Sequence, residues 1–397
     1  MNNLFIFPAL ACILQVRHII GCNFIERYES QKKYSLAGRK RERGKNLFVL
    51  YFASCFLLIS CSNNNDLKTI NSDSVNNNLQ KYDYMEGNTQ GSTFHIKYKI
   101  NGDSIKISDI YSIFSEIDNS LSIYIDSSII SRINNNDTSV TTDKYFEDVF
   151  AMSDSVYKLS NGLFDITVGQ LVKAWGFTPG GHKKLDTKQI SKLKAHVGFN
   201  KIKLINHKLL KSDSRILLDP NAIAQGYTCE VVADYFISKE ISDYMIEIGG
   251  EVKTKGLNDK GKLWKIGIDK PIDENREREL QTILLVTNTS VCTSGSYRKF
   301  VEENGIKYSH TINPKTGYPT HQNLLSVTVV TQNCTYADAV ATALMVMGLD
   351  DAKKFVENHK EIEAYFIFVN KKGEYETWNS ERLNSMIKPL EYKDFQK

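Results

Sequence analysis

The pattern of apolar and polar residues predicts strands and helices that follow one another without regular alternation. Strict apolar–polar alternation over residues 94–100 is typical of a strand with one buried face. Apolar residues at helical spacing predict a helix over 110–121, with Ser108 as its N-cap. The same patterns predict helices over 143–160, 221–240, 335–347 and 349–359, and strands over 244–248, 264–268, 281–286 and 325–330. Because this order lacks a regular βαβ rhythm, it favours an α+β fold.

The N-terminal segment has the pattern of a lipoprotein signal. A basic cluster at residues 39–45 precedes an apolar stretch over 47–59, which is 13 residues long and too short to cross a bilayer comfortably. Ser60 and Cys61 follow it, as in a bacterial lipobox, where the cysteine is acylated and becomes the mature N-terminus. We expect a signal region over 1–60 and lipidation of Cys61. A short membrane anchor or a buried apolar segment is the alternative.

The segments on either side of Cys61 differ in what they are expected to do. A signal that starts at Met1 would be unusually long, so we expect the true start near residues 36–45. Residues 61–83 begin with the cysteine and are rich in Asn, Ser, Asp and Lys, which is typical of a flexible tether. One folded domain is expected over 84–389.

The charge and the cysteine count exclude two classes of protein. The formal charge of +4 arises in the first 45 residues, where nine Lys and Arg stand against three Asp and Glu; the rest therefore carries about −2. The folded part lacks a basic footprint, so no nucleic-acid partner is expected. Of the seven cysteines, only Cys229, Cys292 and Cys334 would remain as free thiols in a lipidated mature chain. These three match no zinc spacing, and their odd number argues against a disulfide framework. We expect them to be small buried residues.

Asp338 and Thr342 form a candidate metal pair. They are four residues apart on a predicted helix, so both side chains project from one face. A carboxylate and a hydroxyl are hard oxygen ligands that suit Mg²⁺, which keeps waters and shares substrate phosphates. The alternative is that Asp338 merely favours the first turn of the helix and Thr342 packs inside the domain.

Other short motifs suit a phosphorylated ligand but also have plain structural explanations. Residues 293–296, Thr-Ser-Gly-Ser, can form an anion nest or an ordinary turn. Gly249-Gly250 permits close backbone approach to a ligand or a tight bend. His310 precedes a Pro-Lys-Thr-Gly turn and can act as a general base or be structural.

In their order along the chain, these motifs resemble the ApbE family, the FAD:protein FMN transferases, over about residues 85–350. The resemblance is carried by Gln90-Gly91-Ser92-Thr93, Ser122-Ile123-Tyr124 with Ser128, Ser131 and Asn134, residues 162–169, Trp175-Gly176-Phe177, residues 219–227, Ile248-Gly249-Gly250, Thr293-Ser294-Gly295, residues 310–317, and Ala337-Asp338-Ala339 with Thr342. So many ordered matches make the resemblance specific.

The resemblance implies a single ApbE-type domain of α+β class, T-fold-like, with mixed sheets and flanking helices. It implies Mg²⁺-dependent transfer of the FMN moiety of FAD to a Thr or Ser hydroxyl of a partner protein, with release of AMP. Expected partners are FAD and an acceptor flavoprotein, such as a subunit of a sodium-pumping NADH:quinone reductase or its Rnf relatives. The resemblance also implies a lipid anchor in a membrane of the bacterial cell envelope, with the domain facing the periplasm.

The same resemblance implies roles for individual residues. The metal ligands are expected to be the Ala222 carbonyl, the Asp338 carboxylate and the Thr342 hydroxyl. Ser294 and Gly295 are expected near the phosphates, and His310 near the transferring group as the candidate base. The flavin site is expected to include Gln90, Tyr124, Leu163, Phe164, Asp165, Asp219, Gln225 and Ile312.

The chain departs from the family pattern at three positions and leaves two other functions open. Gln225 stands where Lys or Glu is frequent, and Asn313 and Glu230 each replace a frequent Asp. Asn313 cannot accept a proton at neutral pH. The alternatives are an FAD pyrophosphatase that yields FMN and AMP, and a non-catalytic flavin-binding lipoprotein. Retention of Asp338 and Thr342 argues against the second.

Overall fold

The computed structural model describes residues 81–178, 185–271, 279–295, 300–303, 306–309, 311–320 and 323–390. The predicted signal region over 1–60, the lipidation site Cys61, nearly all of the tether and the candidate base His310 lie outside the described residues. Within the described ranges, no helix combines the length and the apolar character needed to cross a bilayer.

The described chain contains strands and helices in irregular order. The strands are β1 Tyr82–Thr89, β2 Ser92–Lys99, β3 Ile202–Ile205, β4 Lys208–Lys211, β5 Tyr244–Ile248, β6 Glu251–Lys255, β7 Trp264–Asp269, β8 Leu280–Val286, β9 Ser290–Gly295, β10 Phe300–Glu303, β11 Ile306–Ser309, β12 Leu324–Thr331, β13 Glu363–Val369, β14 Tyr375–Asn379 and β15 Ile387–Lys388. The helices are α1 Ile107–Leu121, α2 Ile129–Asn134, α3 Lys144–Leu159, α4 Gly169–Ala174, α5 Thr187–Lys194, α6 Ala224–Ser238, α7 Cys334–Met347 and α8 Leu349–Asn358, with 3-10 turns at Phe199–Lys201 and Glu381–Ser385.

The central sheet has eight strands in the order β1-β2-β5-β6-β9-β12-β13-β14, and a smaller sheet has the order β15-β8-β7. Adjacent strands in both sheets pair antiparallel. The α+β prediction is confirmed. The expected mixed sheets are instead antiparallel, because tight hairpins join β1 to β2 and β5 to β6. Parallel pairing in the described chain is limited to an isolated bridge between Val168 and Leu217.

Most predicted elements lie within a few residues of the observed ones, and one predicted cap is wrong. Helix α1 begins at Ile107 with Lys106 as its N-cap. Ser108 is therefore inside the first turn, where its hydroxyl lies 3.4 Å from a carboxylate oxygen of Asp109. The predicted end of the helix over 143–160 is confirmed, since α3 ends at Leu159, and Asn161 and Gly162 after it both adopt positive φ.

Helix α7 lies at the centre of the packing. Its residues are buried on nearly every side, because it packs on β9 and β12 and against α6. Gly226 allows the close approach of α6: a Cβ at this position would lie 2.5 Å from the Cys334 carbonyl oxygen and 2.6 Å from the Asp338 Cβ. The three cysteines Cys229, Cys292 and Cys334 are free thiols buried in this core, as predicted.

Candidate active site

Asp338 is a buried carboxylate at the interface of α7 and α6. Asp338 is 6% exposed, and its Oδ2 accepts a hydrogen bond from the Gly226 N–H at 3.0 Å. Burial raises the pKa of Asp338 to about 7, and the hydrogen bond from Gly226 opposes that rise. An anionic carboxylate here is costly without a compensating positive charge, so the position suits a cation.

Thr342 lies one turn further along α7 and contacts the end of β9. Its Oγ1 is 3.1 Å from the Oγ of Ser294, and Ser294 pairs with Val327 of β12. Gly295 follows directly and pairs with Ser326. The structure therefore brings the predicted metal-ligand hydroxyl together with the two residues predicted near the phosphates.

Glu251 is a second buried acid at this site, and the sequence reasoning missed it. Its residue is 7% exposed, and its Oε2 accepts a hydrogen bond from the Thr293 N–H at 3.2 Å. Burial and, next, the charge of Asp338 raise the pKa of Glu251 well above its usual range. The sequence signal for Glu251 was its position directly after Gly249-Gly250. When a hairpin turn lies at a site, the first residue of the strand that follows the turn lies there too.

Ala222 lies just before α6. The carbonyl of Pro220 accepts hydrogen bonds from the Ile223 and Ala224 N–H groups at 3.0 Å each. Since Gly226, one turn further on, contacts Asp338, the helix start that carries Ala222 lies next to α7. Among the described residues, no three His, Cys, Asp or Glu side chains converge as a ready metal site. The predicted ligand set differs from such a cluster, because it combines one carboxylate with a carbonyl and a hydroxyl.

Gln225 lies in the first turn of α6, and Gln90 contacts the same helix one turn further on. A Cβ at Gly249 would lie 2.2 Å from Nε2 of Gln225, so the Gln225 side chain covers this glycine, whose φ is +67°. Gln90 lies in the turn between β1 and β2, and its Nε2 donates to Oγ1 of Thr228 at 2.9 Å. Both predicted flavin residues therefore lie on the α6 side of the site.

Tyr124 and Asp219 form the border of this region. The Tyr124 residue is 60% exposed, and its hydroxyl accepts a hydrogen bond from Nδ2 of Asn221 at 3.4 Å. Asp219 is buried, and its Oδ1 accepts from the Asn221 N–H at 3.0 Å. Burial raises the pKa of Asp219. Asn221 thus connects an exposed aromatic ring to a buried acid, and a planar ligand can contact the exposed ring.

The segment Leu163-Phe164-Asp165 is connected to the same border, but its acid has structural partners. The Asp219 N–H donates to the Ile166 carbonyl at 2.7 Å. Oδ1 of Asp165 accepts from the N–H and the hydroxyl of Thr167, at 2.8 and 2.7 Å, and Oδ2 accepts from the Phe199 N–H at 3.0 Å. Phe164 is buried in the core. These contacts give Asp165 a clear structural role, and its flavin contact stays a prediction.

Ile312 and its neighbours form a closed turn that packs on the Trp175 motif. Ile312 is buried in an apolar cluster with Leu171 and Trp175, and Nε1 of Trp175 donates to the Gly317 carbonyl at 2.9 Å. Oδ1 of Asn313 accepts from the N–H groups of the two residues after Pro314, at 2.9 and 3.1 Å. The side-chain oxygen of Asn313 therefore stabilises this turn. Two motifs that carry the family resemblance are joined here to each other.

Residues 90–366 match the family model described as the ApbE family. The chain is 34% identical over 303 residues to the FAD:protein FMN transferase of Haemophilus influenzae, an alignment that covers 73% of this chain and 87% of that protein. It is also 34% identical over 273 residues to the FAD:protein FMN transferase of Vibrio cholerae, covering 67% of this chain and 81% of that protein.

Solved structures of similar proteins have the same fold. The flavin transferase ApbE from Vibrio cholerae matches with a TM-score of 0.70 and 31% identity, over 77% of this chain and 99% of that chain. The apo form of the flavinyl transferase ApbE from Pseudomonas stutzeri matches with a TM-score of 0.70 and 30% identity, over 77% of this chain and 96% of that chain.

Proposed function

Since the chain belongs to the ApbE family, we propose that it transfers the FMN moiety of FAD to a Thr or Ser hydroxyl of a partner protein and releases AMP. The observation that carries this function is the convergence of Asp338, Thr342 and Ser294 beside the start of α6. In the transfer, the acceptor oxygen forms a bond to the FMN phosphorus, the bond to the AMP phosphate oxygen breaks, and the acceptor proton leaves for a base.

Positioning supplies much of the rate in a phosphoryl transfer. The rigid part of this site is the packed interface of α6, α7 and β9, which holds the Asp338 carboxylate and the two hydroxyls of Ser294 and Thr342 in fixed positions. Gln90 and Gln225 are held beside them and can orient the flavin or the adenine through hydrogen bonds. Neither amide carries a charge, so both act by orientation.

We further propose that Mg²⁺ binds to the Ala222 carbonyl, the Asp338 carboxylate and the Thr342 hydroxyl. Two observations support the fit: the donors are hard oxygens, and two buried acids, Asp338 and Glu251, both have raised pKa values that a nearby cation would lower. The bound ion would neutralise the diphosphate and act as a Lewis acid on its oxygens.

His310 is the proposed base for the acceptor hydroxyl. Thr311 and Ile312, which directly follow it in the sequence, are buried in the domain. Acid–base assistance of this kind contributes roughly 10²–10⁴-fold. We therefore expect His310→Ala to slow transfer at least about tenfold while FAD still binds.

The cellular setting is part of the proposal. We propose that Cys61 is lipidated, that the domain faces the periplasm, and that the acceptor is an extracytoplasmic flavoprotein such as an Nqr-type or Rnf-type subunit. The support is the sequence of the N-terminal segment, in which a basic cluster, a short apolar stretch and Ser60-Cys61 occur in order.

Incubation of the purified protein with FAD and Mg²⁺, with and without a candidate acceptor, tests the activity. We expect a fluorescent flavin band on the acceptor and release of AMP. Free FMN in both tubes and no labelled protein would identify an FAD pyrophosphatase instead. Intact FAD after long incubation would identify a flavin-binding protein without turnover.

A further inference from the structure

The loop between β6 and β7, residues 256–263, exposes two leucines on either side of exposed lysines. Leu257 is 41% exposed and Leu263 is 38% exposed. Lys260 and Lys262 lie between them and are exposed as well. Single exposed leucines are common on protein surfaces, but an apolar pair interleaved with lysines in one short loop is typical of segments that bind at a membrane surface.

This β6–β7 loop borders a groove of about 890 Å³. Among the described residues, its lining contains one acid, Asp259, and five lysines: Lys97, Lys260, Lys262, Lys265 and Lys388. Asp259 forms an ion pair with Lys97 at 2.8 Å. The other acid at the loop, Asp243, accepts from the Leu257 N–H at 2.7 Å and lies 3.7 Å from the Lys99 ammonium. Asp259 and Asp243 thus pair with Lys97 and Lys99, and the exposed Lys260 and Lys262 place two further positive charges on the loop.

The N-terminal end of the domain lies against the same loop. The Tyr82 hydroxyl donates to the Leu257 carbonyl at 2.8 Å, and the Tyr82 ring packs edge-on against Trp264, with 6.4 Å between ring centroids. Tyr82 is the first residue of β1, so the chain that leads back to Cys61 enters the domain next to this loop. A tether that ends in a lipid would therefore join the domain on the face that carries this loop.

We propose that the β6–β7 loop docks the domain on the anionic phospholipid surface to which the tether is anchored. Leu257 and Leu263 enter the headgroup region, and Lys260 and Lys262 bind lipid phosphates. This inference rests on the proposed lipid anchor at Cys61, goes beyond the proposed transferase activity and uses none of the residues predicted for the flavin site.

Strand pairing determines how far the docked loop lies from the flavin site. Strands β5 and β6 pair from Tyr244 with Lys255 at the loop end to Ile248 with Glu251 at the other end. That far end is where Gly249 contacts Gln225. Five residues of strand separate the two ends, or about 16 Å. Docking through the β6–β7 loop would therefore leave the flavin site about one strand length away from the docked loop.

Lysine footprinting tests the proposal on the full-length protein. The protein is reconstituted into vesicles of phosphatidylcholine alone or of phosphatidylcholine with phosphatidylglycerol, treated with a membrane-impermeant acetylating reagent, and analysed by mass spectrometry. We expect modification of Lys260 and Lys262 to slow at least roughly threefold in the anionic vesicles relative to detergent. Lys203 and Lys208 are exposed on the β3–β4 hairpin and are expected to react at the same rate in anionic vesicles and in detergent.

Equal protection of Lys203 and Lys208, or no protection of Lys260 and Lys262 in anionic vesicles, would overturn the proposal. Protection by soluble glycerophosphoglycerol without vesicles would also overturn it, since that result identifies a small anionic ligand of the groove.

Paired variants separate docking from folding and from catalysis. Leu257→Ser with Leu263→Ser is expected to abolish the protection of Lys260 and Lys262. The matched control is Ile205→Ser with Leu210→Ser, two leucine-sized residues on the β3–β4 hairpin that are 48% and 52% exposed, and it is expected to keep the protection. Both double variants are expected to flavinylate an acceptor in detergent at the rate of the unsubstituted protein. Loss of protection in both variants alike would count against the β6–β7 loop.

Discussion

The backbone N–H of Gly226 donates a hydrogen bond to Oδ2 of Asp338 at 3.0 Å, across the interface of α6 and α7. This contact requires the two helices to approach closely, and the missing Cβ of Gly226 is what permits it. One residue thus controls both the packing of the central helices and the position of the acid proposed to bind magnesium.

Gly226→Ala is expected to destabilise the protein by about 1–3 kcal/mol, because its Cβ would overlap the Cys334 carbonyl and the Asp338 side chain. Urea unfolding measures this change. Helix propensity alone predicts the opposite sign, a gain of about 0.5–1 kcal/mol. A gain in the free energy of unfolding would therefore show that the helices can separate without cost.

Asp338→Asn is expected to lower Mg²⁺-dependent flavin transfer about 100-fold or more, because the amide keeps the shape but supplies no charge for the ion. Transfer is measured by in-gel fluorescence of the acceptor across a magnesium titration. Asp351→Asn is the matched control, since that carboxylate is exposed on α8. Normal turnover by Asp338→Asn would remove Asp338 from the metal site.

Thr342→Val and Thr342→Ser test the hydroxyl that lies 3.1 Å from Ser294. Loss of the hydroxyl in the valine variant is expected to raise the magnesium concentration needed for half-maximal rate at least about tenfold, whereas the serine variant keeps most of the activity. Circular dichroism checks that both variants are folded. If valine and serine behave alike, the hydroxyl has no role in binding the ion.

Glu230 stabilises the start of α7 by accepting hydrogen bonds. Its Oε1 accepts from the Lys253 ammonium at 2.9 Å and from the Cys334 N–H. Glu230→Ala leaves both donors without this acceptor and is expected to cost about 2–3 kcal/mol of unfolding free energy, whereas Glu230→Gln keeps an acceptor oxygen and is expected to cost less. Chemical denaturation of the two variants provides the comparison, and equal losses would contradict a hydrogen-bonding role.

Alkaline pH is expected to destabilise the domain through tyrosines whose pKa is raised in the folded state. Burial raises the pKa of Tyr244 to about 12, and Tyr336 also rises to about 12, mainly through burial. An unfolded tyrosine titrates near pH 10, so the unfolded state loses its proton first. The stability that these groups contribute is complete below pH 10 and is lost as the pH rises toward 12.

Between pH 8 and pH 11, the Tyr244 share of this loss is expected to be about 1.4 kcal/mol. Unfolding in urea at pH 8 and pH 11 measures it. Tyr244→Phe keeps the ring and removes the ionisable group, so its stability should fall less over this interval. An identical fall in the variant would assign the alkaline loss to other groups.

Local patterns were enough to predict most of the elements and part of the site. Helical periodicity placed Asp338 and Thr342 on one face of a helix, and α7 confirms that helix. The hairpin glycines after Ile248 were likewise visible in the chain. The Ser108 cap failed because a serine near a helix start is compatible with more than one starting residue, and tertiary packing selects among them.

Sequence alone determined the family of this protein, its α+β class and the residue types available for metal and phosphate binding, since these depend on local order and periodicity. Only the tertiary structure decided which distant residues meet. Ser294 and Thr342 are 48 positions apart, and Gln90 and Thr228 are 138 apart. Glu251 became a site residue only when β6 was packed beside β9 and α7. Such contacts depend on how strands and helices pack, and that packing is not encoded by any short stretch of the chain.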